Sequence, residues 1–571
     1  MNTVNKNKKQ RLEHYRSLYE SSKNAYSDIL DEFERNMAQY RGSYEIDGSR
    51  ENALTIRNIT YEIIESQVSS EIPQPKTDAA VYSEEKERAA HAVETLCRSL
   101  RSRLPFGELN DLDERYTYIY GGSVWFVEWD SSKDFGEVTG GVRVHCISPK
   151  NFIPQPNVCS VEDMEYCFLT FATTRAEAIR RYGVSPEDSF LLEANAENEY
   201  DTLDDTVSVI ICFYKDENGS IGQFVFSGDV VLLDIDNYYK RKTKVCKKCL
   251  QNEAACNCVG HRSFATVNVD FEEISGLNGE KAIKVPYYTP RSFPIVIRKN
   301  TSAENSLFGQ SDCKYIRPEQ QAINKIESRI LQKLLRSGVT PVVPEDANIN
   351  INNSVFGQVI KMKPGESMSQ YGKVDTTPDI SQDIEEAERL YNHSKRILGI
   401  SDAYQGIGEY SNESGVARRL RIQQASGRLE SKRKMRYAAY AALDKIIFEH
   451  YLAFADEPRV LSYKDAYGRV HNECFNRYDF LIFDHSDGTF KYDDSYLFSV
   501  DYNAGTEYQR EALWEKNLEN LKSGTLGDPS APHTLLRYWQ CQERAHYPHA
   551  RENVEYFSEI LKKEDTDYDL A

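Results

Sequence analysis

No stretch of about 18 apolar residues, the length needed to cross a bilayer, occurs in this chain of 571 residues. The basic start MNTVNKNKKQRLEHYRSLYE has no apolar run behind it, so neither a membrane span nor a secretory leader is expected. A phosphate-binding G-x-x-x-x-G-K-[ST] loop is missing too: Gly372-Lys373 is followed by Val374 and lacks the upstream glycine. An ATPase therefore has no basis in the sequence. No H-E-x-x-H or H-x-E pattern of a hydrolytic metal centre accompanies the cysteines. Positive charge is in deficit, with 70 Lys and Arg against 89 Asp and Glu and a net charge of −19. That excludes a surface gripping phosphates throughout, because affinity for nucleic acid grows with the number of cations set against phosphates. It leaves room for a surface that DNA slides past. The acid runs DEN and YDDS fall in turns, where carboxylates are solvated or capping.

What is present is enough for more than one core. The length exceeds what a single hydrophobic core supports, and 40% of residues are hydrophobic, so two to four structural units of α+β class are expected. Eight of the twelve cysteines (97, 146, 159, 167, 212, 313, 474 and 541) stand singly in apolar or helical contexts, as reduced thiols do. The other four lie together in KVCKKCLQNEAACNCVGH, residues 244–261. The spacing C-x2-C-x6-C-x-C lets Cys246, Cys249, Cys256 and Cys258 converge as thiolates on one tetrahedral zinc ion. A closed site of this kind would staple the tip of a long β-hairpin too small for its own core, with His261 as a spare or replacement ligand. Free thiols are the alternative.

Periodicity organises the rest. Residues 10–40 carry Leu12, Tyr15, Leu18, Tyr19, Tyr26, Ile29, Leu30 and Phe33 at helical spacing, which predicts an amphipathic helix docked on a partner surface. A helix over 83–104 and another broken at Gly121-Gly122 follow. Strands are then expected at VRVHCI, CFLTFA, TVSVIICFYK, GQFVFS, DVVLLDI, ATVNVDFEEI and FPIVIRK, with one helix at TRAEAIRRYG.

Residues 311–336 predict a strong helix with Ile316, Ile323, Ile326, Ile330 and Leu334 on one face and Gly338 as its stop; Pro318 either opens its regular part or kinks it. Lys325, Arg329, Lys333 and Arg336 line the opposite side. They form an ordinary solvated face or, repeated around a ring, a basic belt. A short β excursion leads to a helix over 377–398 with Thr377 as N-cap, Pro378 at N1, Lys395 and Arg396 in the last turn and Gly399 beyond. The loop ISDAYQGIGEYSNES has no apolar period, and then a helical pattern runs from about 414 to 454. Along it Arg418, Arg419, Arg421, Arg428, Lys432, Arg433, Lys434 and Arg436 alternate with Val416, Leu420, Ile422 and Leu429, a cluster suited to an acidic neighbour or to nucleic acid. Strands RVLSYKD, YDFLIFDH and SYLFSV, helices over 505–563 and a frayed tail KKEDTDYDLA close the chain.

The succession from 287 to 454 resembles the core of tailed-bacteriophage portal proteins, the head-tail connectors. It runs from an extended YYTPRSFPIVIRKN through the S-L-F-G-Q-S-D turn, a helix, a β excursion, a second helix and the L-G-I-S-D loop to a very long helix. GGSVWFVEWD and HCISPKNFIPQP are similar to wing segments of that family, so the resemblance covers about residues 10–510. It implies an α+β subunit with an α/β wing over 1–310 that bears the cysteine hairpin (240–262) as an insertion. Beyond the wing it implies a two-helix stem (311–336 and 377–398), a small β clip (337–376) and a tunnel loop (399–413). A long wing-to-crown helix with wing strands (414–504) and a helical crown-like region (505–571) complete it.

The same resemblance implies a homododecameric ring at one capsid vertex of the virion, assembled in the host cytoplasm. Through it double-stranded DNA is packaged and ejected, on a platform for terminase, a head-tail adaptor and the major capsid and scaffolding proteins, with no membrane and no enzymatic chemistry. In that frame Tyr404, Gln405, Tyr410, Ser411 and Asn412 of the tunnel loop would touch passing DNA. The stripe Ile323, Ile326, Ile330 and Leu334 would pack between subunits, and zinc would be structural. The alternative is a zinc-dependent nucleic-acid-processing enzyme centred on the cysteines.

Overall fold

The computed structural model describes residues 2–43, 55–81, 83–134, 139–186, 206–239, 242–246, 264–268, 271–274, 283–336, 339–342, 367, 369, 372–375, 379–400, 429–464, 470–484, 489–500, 507–545, 547 and 550–568. The chain is a mixed α+β protein. It divides into two compact units. The first comprises Met1–Phe33, Val68–Gln310 and Glu430–Ala571, the second Glu34–Gln67 and Ser311–Leu429.

In chain order the structure opens with α1 (Asn2–Ala25), α2 (Ser27–Arg41) and α3 (Ile59–Glu65), then β1 (Pro75–Ala79), α4 (Glu84–Arg103) and α5 (Phe106–Tyr120). The single helix expected over 10–40 is thus two, parted at Tyr26 without a glycine or proline to announce it. Ser83 caps α4 by accepting the Lys86 N–H at 3.1 Å, and Gly121 ends α5 in the left-handed region at φ 90°. Next come β2 (Gly122–Asp134), β3 (Thr139–Ile147), β4 (Phe152–Pro154), β5 (Tyr166–Thr174), α6 (Arg175–Tyr182), β6 (Thr206–Lys215), β7 (Ile221–Ser227) and β8 (Val230–Ile235). Four short strands follow: β9 (Lys242–Cys246), β10 (Phe264–Asn268), β11 (Phe271–Ile274) and β12 (Ile283–Pro286), then β13 (Ile295–Lys299). The one strand expected at ATVNVDFEEI is therefore two, β10 pairing with β9 and β11 with β12.

The second unit holds α7 (Asp312–Arg336), β14 (Val339–Val342), β15 (Gly372–Asp375) and α8 (Ser381–Leu398). Returning to the first unit, α9 (Glu430–Phe454) leads to β16 (Arg459–Lys464), β17 (Val470–Phe475), β18 (Leu481–Asp484), β19 (Thr489–Tyr492) and β20 (Tyr496–Val500), then α10 (Glu507–Lys522), α11 (Pro532–Arg544) and α12 (Ala550–Tyr568). The tail expected to fray is helical as far as Tyr568.

The first unit has two apolar cores. In one, α1 lays Leu12, Tyr15 and Tyr19 on Phe168, Ile210, Cys212, Phe224 and Phe226. These belong to the antiparallel sheet β4-β5-β6-β7-β8, which gives the amphipathic helix its partner surface. In the other, α4 and α9 bury Leu96, Leu100, Tyr440, Leu443, Phe448 and Leu452 against Trp125, Val127, Val142 and Val144 of the sheet β13-β2-β3. Alternation along the strands faces these residues inward, and the 3.6-residue period of the helices supplies the matching stripe.

Candidate functional site

In the second unit α7 and α8 run antiparallel. Ile316 near the start of α7 clusters with Leu398 at the end of α8, together with Ile63 and Ile400. Ile323 meets Tyr391 and Ile59 at mid-length, and Lys333 near the end of α7 reaches Asp383 in the first turn of α8. The strand pair β14–β15 joins the two helices at that end in antiparallel register, Val339 opposite Asp375 and Val342 opposite Gly372. Pro318 is the seventh residue of α7, past the first turn, so it does not open the helix as an N1 residue and leaves the Lys314 carbonyl without its intrahelical donor. Gly399 terminates α8 as expected, at φ 77°.

The expected start of α8 is corrected. Thr377 and Pro378 lie outside the described residues, and the helix begins at Ser381 with Ile380 at its N-cap and no side-chain cap there. Asp379 instead accepts the Ser381 N–H at 2.9 Å, a local turn that competes with helix until Ser381.

The basic stripe of α7 does not stand alone. Arg329 and Lys333, one turn apart, both donate to the carboxylate of Asp383, Lys333 at 2.5 Å. Hydrogen bonding from Lys333, with Arg329 beside it, holds the Asp383 carboxyl below the usual carboxylate range. Lys325 is exposed to solvent, and of Arg336 only the backbone is described. Asp379 also lies within electrostatic reach of Lys333, so the two cations face two carboxylates at this level of the helix pair, and Arg329 remains 57% exposed.

The apolar stripe is shared in the same way. Ile323 and Ile330 are buried within the subunit and Ile326 is half-buried, whereas Leu334 is 48% exposed. Tyr315, Ile384 and Ile397 of the same two helices are exposed as well.

Polar groups hold α7 to α2 and α3. Gln39 donates to Thr60 Oγ1 at 2.9 Å and to the Cys313 carbonyl at 3.0 Å. Gln320 accepts both the Thr60 N–H and its hydroxyl at 3.0 Å and donates to the Arg57 carbonyl at 2.7 Å. Arg317 donates to Asn36 Oδ1 at 2.5 Å and to Gln39 Oε1 at 3.1 Å.

The cysteine stretch stands on a β-hairpin, as its sequence suggests. β9 and β10 pair antiparallel from Lys242 opposite Asn268 to Cys246 opposite Phe264, so the Cys246 backbone closes the ladder. Cys249, Cys256, Cys258 and His261 lie outside the described residues. Among the described residues no group of three or more His, Cys, Asp or Glu could hold a metal ion. The eight scattered cysteines are all free thiols, with Cys97, Cys167, Cys212 and Cys313 buried; burial pushes the Cys313 thiol up to about 12.

Tyr404, Gln405, Tyr410, Ser411 and Asn412 also lie outside the described residues, as do Arg418, Arg419, Arg421 and Arg428. Of the remaining cations in that cluster, Lys434 is exposed, Arg433 pairs with Glu430 at 2.6 Å, and Lys432 Nζ sits 5.2 Å from the centre of the Tyr118 ring. Arg436 departs from expectation. It is buried in the first unit, where its Nε lies 3.1 Å from Glu114 Oε1 and its Nη2 donates to Asn110 Oδ1 at 2.6 Å. Its acidic neighbour is its own chain.

Arg436 belongs to a buried charge node. Arg298 of β13 donates to Asp113 Oδ2 at 2.5 Å and to Glu114 Oε1 at 2.6 Å. Asp113 also accepts from Ser123 and, at 2.9 Å, from Trp125 Nε1. Burial alone would push the Glu114 carboxyl up, but Arg298 and Arg436 together hold it below the usual range. The signal was present in the sequence as Asn110, Asp113, Glu114 and Thr117, a polar stripe at i, i+3, i+4 and i+7 in FGELNDLDERYTYIY, all four buried in α5.

No protein-family model matches the chain, and no curated protein matches it.

Proposed function

We propose that this chain is a portal subunit of a tailed bacteriophage, forming a homo-oligomeric ring at one capsid vertex through which double-stranded DNA enters and leaves. The observation that carries the reading is the antiparallel α7–α8 pair with the β14–β15 ladder between its ends, set in a compact unit of its own and followed by the long buried helix α9. That order matches a stem, a clip and a wing-to-crown helix. The exposed Leu334, Ile384 and Ile397 on the helix pair support assembly, since such side chains gain by burial against neighbouring copies.

Charge supports it as well. The second unit carries 20 Lys and Arg against 21 Asp and Glu, leaving 50 against 68 of the chain's 70 and 89 in the first unit. A near-neutral channel wall with local basic points holds a sliding duplex weakly, whereas a uniformly basic one would arrest it. The ring has no nucleotide chemistry of its own in this reading, so force comes from terminase. A structural zinc on Cys246, Cys249, Cys256 and Cys258 folds the wing hairpin tip.

Negative-stain images of the purified chain, with light scattering, test the proposal. Rings with a central opening are expected. A monomer at all concentrations, or nucleic-acid hydrolysis abolished by a chelator, overturns it; the second result would favour the zinc-enzyme alternative.

A further inference from the structure

The chain passes between its two units four times: inside α2 after Phe33, after Gln67, after Gln310 and before Glu430. Within the first unit, each passage is anchored on α5 or on the glycine that ends it. Phe33 places its ring 5.3 Å from that of Tyr120. Ser69, two residues beyond the second passage, donates its N–H to Glu114 Oε2 at 3.1 Å, and its carbonyl accepts from Asn110 Nδ2 at 2.8 Å.

The third passage is anchored by backbone. A Cβ on Gly309 would stand 2.7 Å from the Gly121 carbonyl oxygen, and a Cβ on Gly121 only 2.4 Å from that of Gly309, so the two chains touch at a distance only glycine permits. Asn300 fixes the approach, donating its N–H to the Gly121 carbonyl at 3.0 Å and its Nδ2 to the Gln310 carbonyl at 2.9 Å. At the fourth, Arg436 holds Glu114 and Asn110 and donates to the Glu71 carbonyl, which links the fourth passage to the second.

We infer that α5 is a clamp: its buried Glu114 and Asn110 tie the four passages into one cooperative element, so that they loosen together. Glu114 is the centre, because it is shared by Arg298, Arg436 and the Ser69 N–H, and removing its charge leaves two buried guanidinium groups without their common partner. The inference does not depend on the channel reading.

Hydrogen exchange of the full chain, read by mass spectrometry in wild type and Glu114→Gln, tests it. The expected result is exchange faster by about tenfold or more in all four segments, 30–40, 64–72, 305–314 and 430–437, while β6 and β7 keep their wild-type protection. Acceleration confined to 64–72 and 430–437, where bonds to Glu114 are lost directly, overturns the clamp. Equal acceleration throughout the unit, β6 and β7 included, overturns it also, because the residue would then serve general stability. Tyr120→Leu gives a converse that keeps the charge node intact. It touches the first passage directly and is expected to speed exchange in 64–72 as well as 30–40; an effect on 30–40 alone refutes the coupling.

Discussion

The two units solve the problem of holding helices together in opposite ways. In the first, α4 and α9 bury large aromatic and aliphatic side chains in an extended core, and charges taken inside are paired in separate groups, Arg298 and Arg436 with Asp113 and Glu114 of α5 and Arg101 of α4 with Asp444 of α9. In the second, α7 meets α3 and α8 through two small apolar clusters, Ile63-Ile316-Leu398-Ile400 and Ile59-Ile323-Tyr391, with amide and hydroxyl groups between. An apolar core is strong and tolerant of small shifts, whereas a hydrogen-bonded one is weaker but fixes register, since a displaced amide leaves a buried group without its partner. Under the proposed ring assembly, the second unit is the one whose stability should rise.

The largest effect should come from the first unit's core. Phe448 is fully buried against Phe480, Tyr496 and Phe498, with ring centres at 5.0, 5.7 and 5.8 Å. Phe448→Ala is expected to cost about 3–5 kcal/mol in denaturant unfolding of this unit, with the α7–α8 transition unmoved. Joint movement of both transitions would erase the contrast between the units.

Acid should also act on the first unit. His450 is buried among Tyr238, Tyr239 and Phe454, donates Nδ1–H to the Ile446 carbonyl at 2.8 Å and has no partner at Nε2. Burial pushes its pKa down from 6.5 to about 4. Below pH 6.5 the unfolded chain takes up the proton first, so the stability from this site is complete above that pH. It is lost as pH falls towards 4, by about 3 kcal/mol in all. Comparing wild type with His450→Phe isolates the term from the carboxylates nearby: the variant should have the shallower slope between pH 6.5 and 4, and parallel slopes would exclude it.

In the second unit, Gln320→Leu removes both the acceptor of Thr60 and the donor to the Arg57 carbonyl. A loss of about 1–3 kcal/mol is expected, smaller than that of Phe448→Ala. Its size should shrink in assembled protein, as read by thermal melts across a concentration series.

The smallest effect on global stability is expected at the cysteine hairpin. Cys246→Ser with Cys249→Ser should abolish the bound zinc, about one ion per wild-type chain by elemental analysis, and leave both unfolding transitions in place. Wild-type protein purified without zinc would remove the site.

Much of this architecture was legible locally. Strands such as Thr206–Lys215 and the helix of α6 were readable because burial on one or both faces imposes its period on the residues themselves. The start of α8 was misread because a good N-cap and N1 proline precede a second turn-former, Asp379, that takes the Ser381 N–H. The site was less legible. The stripe on α7 reads as one assembly surface, yet the fold buries Ile323 and Ile330 within the chain and exposes Leu334, so Leu334, Ile384 and Ile397 are the better probes of the proposed subunit packing.

By itself, then, the sequence determined most of the helices and strands, glycine stops such as Gly121 and Gly399, the absence of a phosphate-loop motif, and the close spacing of four cysteines along the chain. Those properties depend on neighbours a few residues apart, through backbone sterics, side-chain period and thiolate spacing. Only the tertiary structure decided that Arg436 is a buried partner of Glu114 and not a surface cation, and that Arg329 and Lys333 share Asp383. It also decided that the negative charge belongs almost wholly to one unit. A charged side chain reads the same in sequence whether it meets water or an ion, and its burial is tolerated only where a residue distant in the chain supplies the opposite charge.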